Sequence, residues 1–355
     1  MADKSEEYIL GIEISEHSLR VVQRHIPSNV IDLVHIEPLS LPNILSGDGL
    51  TVLLRQVVRI YRKLLRTRVA AISLPYSMTF IRVMQLDSDS GDLKEQIEWE
   101  IEQQTVGRGG RQVFDWIPLN APKSGKPDTE TQLAALTADV AGLDDLTSEG
   151  GTGKEKSDVR PGPGGAGPRY LVVAADEERI KWMEDSCRKV RILPVICDVD
   201  VLALVNIFAL NYPEDLSEGA ALVYLTGTQA LVCLTRDGSY AESDRVEAIK
   251  FDSPEAVRQS VKRIEEKVAE LAAHAVSPGK PGPFTVKRCF LCGDAAADTR
   301  VRDPLLAAFT LPAETLNPFR SVLVAQEIKS QVLMVAPALA VVTGLTLRIP
   351  GEGRP

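Results

Sequence analysis

Apolar residues open the chain in three short runs. Residues 8–15, 18–26 and 30–38 are rich in Val, Ile and Leu with partial alternation, the pattern of short strands. The period then lengthens in GLTVLLRQVVRIYRKLLR, where Leu53, Val57, Ile60 and Leu64 recur on one helical face with Arg and Lys opposite. VAAISLP reads as a buried strand stopped by Pro75. Three strands, a helix and a further strand predict an α/β plan with mixed sheets.

A second unit follows. MTFIRVMQL alternates like a strand, SGDLKEQIEWEIEQQ is spaced like an amphipathic helix, and RQVFDWIPL returns to a strand. Residues 121–168 break the pattern with nine of the 25 glycines and five prolines. Such a stretch cannot bury enough apolar area to offset its ordering entropy, so a flexible insertion loop is expected. Within it Leu133, Leu136, Val140 and Leu143 are spaced like a heptad. That spacing suits a transient or self-docked helix, or a partner-binding helix on a tether.

Order resumes with RYLVVAA, DEERIKWMEDSCRKV, RILPVICDVD and VLALVNIFALN, which alternate strand and helix. Three strands joined by turns at TGTQ and RDGS then repeat the opening layout, so the chain reads as two related halves. Ser253 and Pro254 mark a helix start as N-cap and first residue. Its Val257, Val261, Ile264, Val268 and Leu271 form a stripe expected to pack on its own lobe, a coiled-coil partner being the other use.

Composition narrows the function classes. Over 355 residues the net charge is −9 and the sequence pI is near 5.2, with 44% hydrophobic, 25% charged and 5% aromatic residues. No dominant basic surface or stacking platform for nucleic acid is expected. No run of ~20 apolar residues spans a membrane, and MADKSEEY lacks the character of a secretory signal. The expected address is cytoplasmic. Cys187, Cys197, Cys233, Cys289 and Cys292 are odd in number and sit in apolar runs, as reduced core thiols do. Cys289 and Cys292 form a C-x-x-C, but strand positions three apart face opposite ways, so neither metal nor redox use is expected. His17, His25, His35 and His274 have no partner motif; GGTGKEKSD has the wrong spacing and context for a phosphate loop, and ISLPYS is not a nucleophile elbow.

Two halves that each open with a β-hairpin, together with a strand ending in glycine (FLCGD), resemble the actin-like ATPase fold. More narrowly, LGIEISEHSLRVV, AISLPYSMTFIRVMQL, LKEQIEWEIEQQ, DWIPLN, YLVVAADEERI, TLNPFRSV and APALAVVTGLTLR resemble PilM, the cytoplasmic actin-like family of type IV pilus assembly. The likeness runs from about residue 8 to 348 outside the 121–168 loop. It implies a bilobed α/β fold with an extra subdomain placed as in the division actin FtsA. On this reading residues 1–212 are the first lobe, with the inserted subdomain at about 76–175. Residues 213–355 are the second lobe, whose C-terminal segment is a candidate to pack back on the first. Only a few residues separate the strand ending near Val246 from the helix at Pro254, so the small fourth subdomain is expected to be reduced.

The resemblance also implies an ATP–Mg pocket, and here the sequence departs from it. The family's first loop reads approximately G-I-D-I-G-S-S-S; Glu13 stands for its Asp, Ser15 for its Gly, and Glu16 and His17 for two small residues, while Ser18 keeps its type. A carboxylate such as Glu16 about 4–6 Å from a triphosphate costs roughly 1–4 kcal/mol. The second loop, near V-D-I-G in the family, is Val223, Tyr224, Leu225 and Thr226, with Gly227 and Thr228 beyond it; its acid has become an aromatic. Gly293 is what is left of a glycine-rich adenosine loop. A degenerate site is therefore expected at Glu13, Ser15, Glu16, Ser18, Tyr224, Thr226, Gly227 and Gly293, with no catalytic residue, metal or cofactor. Weak ATP–Mg binding, or an active ATPase of the same fold, is the alternative.

What the resemblance implies in place of catalysis is a scaffold. PilM-like proteins bind the short cytoplasmic N-terminal peptide of a bitopic PilN-like membrane protein, within the inner-membrane assembly platform. The expected peptide groove is Arg82, Glu98, Trp99 and Glu100, on the strand and helix that resemble the extra subdomain. A pilus or secretion motor ATPase is a further expected partner, and membrane association is expected to be indirect. The alternative platform is that of type II secretion, whose cytoplasmic L-like component shares the fold.

Overall fold

The computed structural model describes residues 7–15, 18–39, 47–86, 92–105, 110–119, 168–275 and 284–349. The expected insertion loop, its heptad-like leucines and GGTGKEKSD lie outside the described residues, Pro168 apart. So do Glu16 and His17.

Two sheets repeat one topology. In the first, β1 (Tyr8–Ile14), β2 (Ser18–His25) and β3 (Val30–Pro38) form an antiparallel meander. β4 (Val69–Leu74) runs parallel beside β1, and β8 (Leu193–Val199) parallel beside β4. In the second, β9 (Gly219–Leu225), β10 (Ala230–Arg236) and β11 (Ser239–Val246) repeat the meander, with β12 (Val286–Cys292) and β13 (Ala313–Thr315) parallel beyond β9. Each sheet thus has the order third, second, first, fourth, fifth strand. A two-residue strand, β14 (Leu323–Val324), extends the first sheet at its β3 edge.

Helices cover both sheets. α1 (Gly49–Ile60) and α3 (Glu177–Lys189) bury apolar faces against one side of the first sheet, around Leu10, Ile12, Leu54 and Ile72. The long α5 (Pro254–His274) begins at Ser253, whose hydroxyl accepts from Ala256 N. All five members of its apolar stripe are buried in the second lobe together with α7 (Thr299–Ala308). The stripe is therefore spent inside its own lobe. Between Val246 and Pro254 the described chain has no helix or strand.

A third sheet, of order β5-β7-β6, joins β5 (Thr79–Gln85), β7 (Arg169–Asp176) and β6 (Gln112–Pro118) in antiparallel register. Met84, Phe80, Val172 and Trp116 pack on α2 (Leu93–Gln104), while Ile81, Val83, Leu171 and Ile117 turn toward the first lobe.

The middle of the molecule is a helix that is apolar all round. α4 (Asp200–Asn211) buries nearly every residue, as a helix enclosed by protein must. α9 (Ala340–Leu345), which follows the short α8 (Lys329–Met334), packs on α4 and β1, although it is far from β1 in sequence. The approach is backbone to backbone: a Cβ on Gly344 would collide with the Ala203 carbonyl, and one on Gly11 with the Val342 carbonyl. One apolar cluster runs from Ile9 and Val22 through α4 and α9 to Leu222 and Phe290, so the two lobes share a core.

Candidate functional site

The C-terminal ends of β1 and β9 meet where the lobes face each other. Glu13, near the end of β1, is the cross-strand neighbour of Arg20 on β2, and the two form an ion pair. Arg20 is 0% exposed. Its Nη1 also donates to the Tyr224 hydroxyl of β9 (2.8 Å), and its Nη2 donates to Asp294 Oδ1 (2.6 Å). The Tyr224 hydroxyl in turn donates to Glu13 Oε1 at 2.6 Å. Asp294 opens α6 (Asp294–Ala297), directly after Gly293. Gly293 has φ +91°, and a side chain there would strike the Leu225 backbone, so only glycine brings β12 this close to β9. Four side chains from both lobes, Glu13, Arg20 and Tyr224 buried and Asp294 part-exposed, thereby form one polar cluster around a single cation.

Electrostatics hold the cluster in one protonation state at its cation and its phenol. Burial opposes the Arg20 charge, but Glu13, Tyr224 and Asp294 outweigh it, and the guanidinium pKa lies above its ordinary value. Burial pushes the Tyr224 phenol far up, so it remains a donor. Burial likewise pushes the Glu13 carboxyl up, with Arg20 and the Tyr224 hydroxyl pulling against it. Such a cluster is held by mutual compensation, because each member alone would be costly to bury.

The same arrangement decides how these residues suit a metal–nucleotide. A phosphate hairpin needs a carboxylate available to the metal and N–H groups open to phosphate oxygens. Here the carboxylate faces a buried guanidinium, and a divalent cation beside it would add like charge in a low dielectric. Where the resemblance implies a second acid, Tyr224 presents a phenol that donates to Glu13 Oε1. The turn hydroxyls are used locally. Ser18 N donates to Ser15 Oγ at 3.0 Å, Ser15 Oγ donates to the Ser18 carbonyl at 3.1 Å, and Thr226 Oγ1 donates to the Gln229 carbonyl at 3.2 Å. Gly227 is exposed at the tip of that second turn. These residues do not fit the group that the fold implies.

The structure thus gathers Glu13, Ser15, Ser18, Tyr224, Thr226 and Gly293 around one place. Sequence reasoning missed Arg20, which stands opposite Glu13 in any tight hairpin through this turn, and a lone Arg in LRVV must be paired when that strand is buried. It also missed Asp200, at the first residue of α4. That carboxyl lines a cavity beside Glu13 and Tyr224, with Oδ2 accepting from Tyr76 N (2.8 Å) and Oδ1 from Val201 N (2.7 Å). Burial pushes it up to about 7, with Glu13 and Asp198 adding to the rise against the two N–H donors.

A second concavity lies between the third sheet and the first lobe. It is a groove of about 630 Å³, counting the part open to solvent. β6 contributes Val113, Asp115 and Ile117 to one wall, and Cys197, Val199 and Leu202 from β8 and α4 contribute to the other, with Ile180 of α3. Among the described residues β6 and β8 are both edge strands, so two sheet edges without a strand partner there border an apolar slot. Asp115 is the acid set into the β6 wall. Burial pushes its carboxyl up, and the Trp116 N–H donates to it at 2.8 Å.

The four expected groove residues lie on the α2 side of the same subdomain. Arg82 Nη1 donates to Gln104 Oε1 (2.6 Å) at the end of α2. Trp99 (57% exposed) and Glu100 border a shallow hollow with Gln85 and Leu86, and Glu98 is exposed on the helix.

A chain of the solved PilM–PilN type IV pilus biogenesis complex superposes on this one with a TM-score of 0.63, at 15% identity, over 99% of this chain and 100% of that one. With the duplicated sheets, this settles the architecture. The fold is actin-like. More distant are a Bacteroides thetaiotaomicron protein with an actin-like ATPase fold and unknown function (TM-score 0.48, 11% identity, 94% and 98% covered) and the cytoplasmic domain of EpsL, an inner-membrane component of the Vibrio cholerae type II secretion system (0.41, 11%, 94% and 98%). No family model and no curated protein matches the sequence. Within the actin-like frame, the Arg20 cluster occupies the interlobe cleft and the apolar slot belongs to the inserted sheet.

Proposed function

We propose that this chain is a non-catalytic scaffold of a type IV pilus inner-membrane platform. In this reading it holds the cytoplasmic N-terminal peptide of a PilN-like bitopic protein in the slot between β6 and β8. The observation that carries the reading is that slot: apolar, bordered by two strand edges unpaired among the described residues, and lined by two acids, of which Asp198 is taken up by Arg348 (2.8 Å) and Asp115 is set in the β6 wall. An extended peptide can pair with a free edge while its apolar side chains fill the slot and a basic residue meets Asp115. The likeness in fold to a chain of a PilM–PilN complex supports the same partner. Among the described residues no helix is long and apolar enough to cross a membrane, so the peptide would supply the link to the bilayer. A motor ATPase is the expected second partner.

The exposed Trp99 keeps a second position in view, the hollow on α2 with Arg82, Glu98 and Glu100, since an accessible Trp is a frequent binding hot spot. One experiment separates the two. A fluorescently labelled peptide from the neighbouring bitopic protein should bind the chain, and Leu202→Trp, which fills the slot, should weaken it at least about tenfold. Trp99→Ala should leave it nearly unchanged. The reverse pattern would move the peptide to α2, and absence of binding to any such peptide would remove the platform assignment.

The absence of catalysis is proposed from the Arg20 cluster. Calorimetric titration with Mg-ATP should give no binding heat, and phosphate release should stay at background. Turnover that disappears in Glu13→Ala would overturn this.

A further inference from the structure

The protein carries a net charge of −9, yet residues 49–68 contain six basic residues and no acid. This stretch is α1 and the turn after it, and its charges are not spent on folding. Among the described residues, Arg59, Arg62, Lys63 and Arg66 enter no side-chain ion pair. Acids at its margin are engaged elsewhere: Asp48 with Lys189 (2.9 Å), Glu37 with His35 (3.4 Å) and Asp32 with Gln23 (2.9 Å).

The outward side is also apolar. Leu50, Leu54 and Val57 face the core, as an amphipathic helix requires. Val52 (55%), Ile60 (54%) and Leu64 (53%) are instead half exposed, at the same helical spacing as Gln56, Arg59 and Lys63. Sequence periodicity alone groups Ile60 and Leu64 with the buried stripe; in the structure they sit outside it. Aliphatic side chains set among arginines and lysines on one exposed helix match the boundary of an anionic bilayer, where headgroups meet the cations and acyl chains the aliphatic groups. A nucleic acid would use the cations but not the aliphatic residues, and no aromatic stands among the exposed ones.

We propose that α1 and its following turn are a membrane-contact surface for anionic phospholipid, with Arg59, Lys63 and their neighbours engaging headgroups and Ile60 and Leu64 entering the interface. α1 packs beside α3, whose Ile180 lines the β6–β8 slot, so lipid contact would occur on the lobe proposed to take the peptide. The surface acts independently of that peptide.

The test is co-sedimentation of the full chain with phosphatidylcholine vesicles that do or do not contain phosphatidylglycerol. The chain should pellet with the anionic vesicles only. Arg59→Glu/Lys63→Glu should lower partitioning at least about tenfold. Ile60→Ser/Leu64→Ser should lower it severalfold while leaving retention on duplex DNA unchanged. Because these side chains are exposed, thermal unfolding should match the parent; should the glutamate pair unfold, Arg59→Gln/Lys63→Gln is expected to weaken partitioning in the same direction. Equal pelleting with neutral vesicles, no pelleting at all, or insensitivity to the serine pair would overturn the proposal. Labelled-peptide affinity unchanged in the glutamate pair would separate this surface from the slot.

Discussion

Removing Arg20 would strip a buried carboxyl and a buried phenol of the cation that compensates them. Arg20→Met is therefore expected to cost about 3–5 kcal/mol in urea unfolding, the usual penalty for breaking a buried charge cluster on one side. Tyr224→Phe removes one hydroxyl that both donates to Glu13 and accepts from Arg20, and should cost about 1–3 kcal/mol. Losses no larger than those of an exposed arginine would show that the cluster contributes little. Asp200 gives a pH signature. Its carboxyl pKa is near 7 in the folded protein against 3.8 in the unfolded chain, so the native state binds the extra proton in between. Stability should be highest below about pH 4 as far as this group is concerned, and fall as pH rises toward 7. Asp200→Asn should flatten that part of the melting-temperature profile, measured from pH 4 to 8. At this scale the sequence was half legible. Glu13 and Tyr224 stood out by comparison with a phosphate loop, whereas Arg20 needed the hairpin register and Asp294 needed the other lobe.

Elements explain why some positions tolerate nothing. α4 is enclosed on every side, and Gly344 of α9 rests on its Ala203 backbone. Gly344→Val must push the two helices apart and should cost at least about 1–3 kcal/mol, read by denaturant midpoint at constant slope. A neutral result would mean that α9 can shift without loss. Strands and helices were largely readable, because period two and period 3.6 are local properties: β1 to β3, α1, and α5 with its Ser-Pro start all occur where the pattern put them. Periodicity could not tell which side of α1 is buried at its far end. Leu53 and Val57 lie against the sheet while Ile60 and Leu64 project outward, since the buried stripe continues from Val57 through Tyr61 and Leu65, which pack on the same cluster.

At the scale of the molecule, the repeated hairpin was the legible feature, and it recurs as two sheets of one strand order. What the lobes do to each other was not legible. Glu13 and Tyr224 are separated by 211 positions, and no local pattern brings them together. The shared core has a further consequence, which concerns time. β1 leaves the ribosome long before α9, the helix that closes over Gly11. At ordinary translation rates that gap is roughly 20–60 s. The second sheet has no such delay, because β9 to β13 are contiguous and α5 and α7 cover one of its faces without outside help. Folding should therefore run against the order of synthesis, with the later half settling first and the earlier half waiting for α9. Chains arrested before Ala340 should yield a protease-resistant core from the 219–315 region and a digestible N-terminal half, so a late truncation would damage the first-made lobe more than the one beside the break.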